Sequence, residues 1–154
     1  MRIDFRTEGN LDDTILVDVA DSVSNVWPLA AGNFYAKHLA ANAVGAKSPL
    51  GIQGDINSRL DHELPKQGWE GKEGRFSKND TWLRITFRHS MSLGSDFMDG
   101  LLLAYREGVR IAIIAAPSRE FARLVTPRDA GAIVTYERLE EYFSRAQPLF
   151  QIPL

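Results

Sequence analysis

Between Thr81 and Pro117 the hydrophobic period changes twice, and no other feature limits the possible folds as much. Over "TWLRITFR" apolar and polar residues alternate, as they do on a β-strand. Leu83, Ile85 and Phe87 then fall on one face, with Trp82, Arg84, Thr86 and Arg88 on the other. "SDFMDGLLLAYRE" switches to helical spacing, with Phe97, Leu101 and Tyr105 on the buried side and Gly108 as the stop. Ser95 reads as its N-cap, with Asp96 and Asp99 near the positive helix end. "VRIAIIAA" follows as a nearly continuous apolar strand, of the kind buried on both sheet faces. Strand, helix and strand in that order make a crossover, which joins parallel strands with a right-handed turn.

The rest of the chain fits around this unit. "RIDF" reads as a short first strand, and the region from Leu11 to Val44 is mostly helical, with Pro28 breaking or restarting it. Gly45 is the expected stop. Ile52, Ile56, Leu60 and Leu64 recur every fourth residue, a helix that Pro65 ends. "EGKEGRFSKND" reads as a hairpin or loop, "AIV" as a further short strand, and "TYERLEEYFSRAQ" as a last helix opened by Thr135. With 154 residues and no internal repeat, the expectation is one domain over residues 1–154. Its class is α/β, a central mixed β-sheet flanked by helices.

Composition removes several kinds of chemistry. The chain has no cysteine, so thiolate nucleophiles, cysteine-ligated zinc and disulfides are excluded. "MRIDFRTEGN" lacks an apolar signal core, and the longest apolar runs are too short to span a bilayer, so the reading is cytoplasmic, without a membrane. His38, His62 and His89 have no metal-ligand spacing and read as surface or hydrogen-bonded histidines. No glycine-rich phosphate loop, nucleophile elbow or zinc signature is present. Formal net charge is −2, but the charge is uneven. Residues 72 to 90 carry Lys72, Arg75, Lys78, Arg84 and Arg88 against Glu73 and Asp80. Such a local patch can meet a phosphate backbone on an acidic protein, because fields are screened within about 8–10 Å. The bland alternative is a solvated face.

The order "INSRLDHELPKQGW", a polar turn, "RFSKNDTWLRITFRHS", and "SDFMDGLLLAYREGVRIAIIAAP" resembles the BglII and BstYI type of restriction endonuclease, in the PD-(D/E)XK nuclease superfamily. "GAIVTYERLEEYFSRAQPLFQIPL" is similar to that family's closing strand, helix and tail. The likeness runs from about Gly51 to the C-terminus, on order and spacing. It implies a restriction-endonuclease-like core, a homodimer and double-stranded DNA as partner.

In that family a helix Asn, a turn Asp and a strand Glu-x-Gln gather at one phosphate, and the carboxylates hold Mg²⁺, which activates the attacking water. Carried over, the Asn falls on Asn57, which matches. The turn Asp falls on Arg75, the strand Glu on Arg84 and the Gln on Thr86, which do not match. Arginine has no acceptor for a cation and stays charged. The expectation is therefore an eroded Mg²⁺-dependent site with no metal, and DNA held by Lys72, Lys78 and Arg88. Two alternatives stand beside it. One is an active endonuclease with Mg²⁺ on the displaced carboxylates Glu73 and Asp80. The other is a dimeric interaction protein that touches no nucleic acid.

Overall fold

The computed structural model describes residues 13–107 and 109–146. Helix α1 (Asp13–Ser24) and helix α2 (Val26–Ala43) are separated at Asn25. Pro28 sits in the first turn of α2, where amides have no intrahelical acceptor, so the helix restarts before the proline. Gly45 follows the helix at φ 66°, the left-handed stop the sequence suggested. Helix α3 (Gln53–Glu63) buries Ile56 and Leu60, and Pro65 opens a 3-10 turn directly after it.

Among the described residues four strands form one mixed sheet in sequence order: β1 (Glu70–Lys72), β2 (Arg75–Lys78), β3 (Thr81–Ile85) and β4 (Ile111–Ala115). The first three are antiparallel neighbours, while β4 runs parallel to β3. Helix α4 (Leu93–Glu107) makes the crossover between β3 and β4, as the double change of period requires. Helix α5 (Arg119–Val125), which the sequence did not announce, and helix α6 (Tyr136–Ala146) follow. Among the described residues no helix is long and apolar enough to cross a membrane.

Strand alternation assigns the two faces of the sheet. Phe76, Leu83 and Ile85 pack with Ile56, Leu60 and Leu64 of the α3 segment and with Val19 and Val26 of α1 and α2. On the opposite face Trp82 lies under Gly100 of α4, where an added Cβ would come 2.9 Å from the indole. Leu93, Val134 and Leu139 close that side with Ile114 and Phe143. Burying this apolar surface is the main source of stability, at about 25 cal/mol per Å².

Some expectations change. Strand β4 is the sheet's last strand among the described residues, not one buried on both faces, and its Ala112 is exposed. An apolar run reports low polarity, which small alanines satisfy without full burial. "AIV" contributes one bridge, Ile133 to His89, rather than a strand. Helix α4 begins at Leu93, and the Ser95 hydroxyl donates to the Ser92 carbonyl at 2.8 Å instead of capping an amide. The "RIDF" strand and the proline-containing tail lie outside the described residues.

The β1–β2 hairpin turns through Glu73 and Gly74, at φ 55° and 73°, the two-residue geometry that suits the twist of antiparallel strands. The Gly74 carbonyl accepts from the Ile85 amide at 2.8 Å, and a side chain there would collide with the Ile85 carbonyl. Gly74→Ala therefore meets both a left-handed penalty of about 1–2 kcal/mol and a backbone clash. A loss of about 2–4 kcal/mol in urea unfolding is expected, whereas Gly54→Ala, with open space around it, should not destabilise the fold.

Candidate functional site

The carboxyl end of β3 meets the amino end of α4, as a crossover helix requires, and the charged residues gather there. Asp96, in the first turn of α4, is fully buried. Its Oδ1 accepts from Arg84 Nε at 3.1 Å and from Arg88 Nη1 at 3.0 Å. The Thr86 hydroxyl lies 3.4 Å from Oδ2, and the same hydroxyl accepts from the Arg88 amide at 3.3 Å. Arg84 is only 3% exposed, and its Nη1 also donates to the Glu73 carbonyl in the β1–β2 turn at 3.0 Å. One guanidinium thus ties the hairpin turn, the central strand and the crossover helix together.

Burial pulls the Arg84 pKa below the ordinary guanidinium value; Asp96 opposes that shift, while Arg75 and Arg88 reinforce it. Like charge is concentrated here by strand register. Lys72 pairs with Arg75 and Arg75 with Arg84, so three cationic residues stand side by side on one face, about 4.8 Å from strand to strand. Arg88 continues the row beyond the end of β3. Arg75 is 54% exposed and lies 3.3 Å from Asp99 of α4, and the Arg88 side chain is 44% exposed. Four cations therefore face Asp96 and Asp99, with Glu70 on the same face of β1.

Of the positions carried over from the nuclease resemblance, Arg75, Arg84 and Thr86 share this face. Asn57 does not join them: it is exposed on α3, which packs on the other side of the sheet. The carboxylate that reaches the turn from α3 is Asp61, one helical turn later, which accepts from the Glu73 amide at 2.8 Å. Lys72 and Arg88 belong to the cationic row, but Lys78 does not. It shares the face of Phe76, lies 2.8 Å from Asp18 and sits over the Trp69 ring. Strand alternation separates it from Arg75.

Mg²⁺ does not fit these residues. Glu73 and Asp80 stand in the turns at opposite ends of β2, separated by about 13 Å of strand, and Asp80 lies toward Arg110 at 3.7 Å. Asp96 is already occupied by two guanidinium groups. Among the described residues no group of three or more His, Asp or Glu is placed to hold a metal ion.

Asp96 escaped the sequence reading because an acid in a first helical turn is fully explained by capping and the helix dipole. A signal was present. A crossover helix starts over the carboxyl end of its strand, so Arg84 and Arg88 there require an anion, and Asp96 is the first acid the helix offers.

Breaking one side of this buried cluster should be costly. Asp96→Ala leaves Arg84 charged and unpaired, and a loss of about 3–5 kcal/mol in denaturant unfolding is expected. Arg84→Met with Asp96→Leu should cost much less than the sum of the two single changes, because both charges leave together. Additive losses in that double-mutant cycle would show that the pair is not coupled.

No protein-family model matches the chain, and neither does any curated protein or solved structure.

Proposed function

We propose that this chain is a restriction-endonuclease-like DNA-binding protein, gripping the phosphates of double-stranded DNA through its cationic row, with the Mg²⁺-dependent phosphodiesterase site eroded. The observation that carries the reading is the register of Lys72, Arg75 and Arg84 on one face, with Arg88 beyond them. Cations placed directly opposite one another on adjacent strands destabilise a sheet. A polyanion offsets that repulsion, and a row of them matches the repeat of phosphates along a strand better than a single site would. Arg84 is spent on Asp96 and Glu73, so the groups left for DNA are Lys72, Arg75 and Arg88. These contacts neutralise phosphates without reading bases, so binding is broad in sequence and steep in salt.

Fluorescence anisotropy with a short duplex tests this at several salt concentrations. Binding should weaken linearly on a log–log plot, and the double variant Lys72→Gln/Arg75→Gln should reduce the slope by about 2, equally for unrelated sequences. Absence of salt-dependent binding in the unaltered protein would sink the reading and leave an interaction protein.

In the same reading the DNA-bound form is a homodimer. Its support is helix α2, where Leu29, Gly32, Ala36 and Leu39 are exposed and recur at three- and four-residue steps, with Lys37 the helix's one charged residue. Small residues at such spacing let a second copy of the helix approach closely. Leu39→Glu would place a charge at the carboxyl-terminal end of that stripe. It should convert a dimer to a monomer in sedimentation velocity and leave the helical circular dichroism unchanged.

A further inference from the structure

The cationic row and the α2 stripe lie on opposite sides of the sheet, and that placement decides what a dimer can hold. Lys72, Arg75 and Arg84 project from the face of Trp82, which α4 covers. Helix α2 belongs to the other side. Its Val26 and Ala30 share one apolar cluster with Phe76 and Leu83, and Trp27, Ala31 and Phe34 pack against it. At about 100° per residue, Leu29, Gly32, Ala36 and Leu39 fall on the half of α2 turned away from that cluster. All four are exposed.

The stripe is also electrically quiet. Lys37 lies 2.6 Å from the buried carboxylate of Asp55 in α3, so its charge is answered within its own chain. Two copies of α2 can therefore meet without like-charge repulsion between them.

A patch that meets its own copy does so about a two-fold axis. Such an axis lies in the plane of contact and reverses the direction in which each chain faces. With the stripes turned inward, both cationic rows point outward, on opposite sides of the dimer. Two α2 helices, each about 10–12 Å across with side chains, and two sheets stand between the rows. That gap is at least two screening lengths of about 8–10 Å, so charge bound at one row does not weaken the other. Duplex DNA is stiff over about 150 base pairs, so a short duplex held by one row does not bend round to the second.

We propose that the homodimer bridges two separate DNA duplexes, one on each row, instead of closing round a single one. The proposal rests on the reading of the row as a phosphate grip and of α2 as the dimer contact. It adds an architectural function that neither supplies alone. Since each row neutralises phosphates without reading bases, the two tethered segments need not share a sequence.

Bead capture tests the bridge, with duplexes kept well under the persistence length of about 150 base pairs. One biotinylated duplex is fixed to beads, and a fluorescent duplex of unrelated sequence is added with the full chain at low salt. Capture should require the protein and disappear as salt is raised. It should also pass through a maximum as protein is added, because excess dimer occupies each duplex separately. Leu39→Glu should bind a single duplex in anisotropy with unchanged Kd and lose capture. Gly32→Gln adds bulk where the free chain has open space, so it should fold normally and lose capture as well. Lys72→Gln/Arg75→Gln should weaken both single-duplex binding and capture. In sedimentation velocity the complex should contain two chains and two duplexes. Two chains on one duplex, or capture that persists in a monomeric Leu39→Glu, overturns the bridge while leaving duplex binding by the row intact. An unaltered chain that is monomeric, or shows no salt-dependent binding, overturns it together with the reading it rests on.

Discussion

The Asp96 carboxylate has no solvent-exposed surface and is surrounded by Arg84, Arg88 and Thr86. Taking a carboxylate and a guanidinium out of water costs several kcal/mol for each ion, so the arrangement persists only because the hydrogen bonds are nearly complete. Its position explains the surrounding geometry. Asp96 stands at the positive end of α4, which favours the anion, and the two arginines come from the strand that the helix crosses over. Fixing α4 at that end brings Gly100 onto the Trp82 ring, where no larger residue fits without displacement. Arg84 extends the same constraint to the β1–β2 turn through the Glu73 carbonyl. Helix, central strand and hairpin are thereby locked at one point.

The cluster is not electrically neutral. One carboxylate answers two guanidinium groups, and Asp99 answers Arg75 at the surface, while among the described residues no ion pair within 4 Å is seen for Lys72. Arg84 is structural, since it is buried and committed to Asp96 and Glu73. Arg88 is different. It holds Asp96 with one nitrogen, and its side chain is 44% exposed. The excess positive charge is therefore carried by residues held on a rigid base, the arrangement that gives long-range attraction for anions without loss of geometry on binding.

Much of this was legible from residue order. The alternation of Leu83, Ile85 and Phe87 with Trp82, Arg84 and Thr86 separated the two faces of β3, because a strand's period admits no other assignment. The change to helical spacing and back gave the parallel pairing of β3 with β4, and Ile56 and Leu60 gave the buried side of α3. The place of β4 at the end of the sheet among the described residues was hidden, since an apolar run looks alike in the middle of a sheet and at its rim. Short α5 was hidden as well: seven residues give too few turns for a period to emerge. Its cap was readable in retrospect, with the Ser118 hydroxyl accepting from the Phe121 amide at 3.2 Å. Glu137 joins α5 to α6 in a way no local pattern encodes. Burial alone would raise its pKa, yet hydrogen bonds led by the Arg119 amide bring it below the usual carboxylate value.

The resemblance to a nuclease core assigns acids to a strand and a cation to the metal between them. Here the signs are exchanged: the strand carries the cations, Arg84 and Arg88, and the acid, Asp96, comes from the helix above it. Both arrangements pair opposite charges, so either is compatible with a stable fold. What differs is the charge left over. Two carboxylates around a divalent ion still need the ion before they attract a phosphate. A guanidinium held on a buried carboxylate but still part-exposed, as Arg88 is, attracts it without any metal and lacks an acceptor to activate water. The register of Lys72, Arg75 and Arg84, with Arg88 beyond them, follows from that placement of the cations on the strand and the acid on the helix.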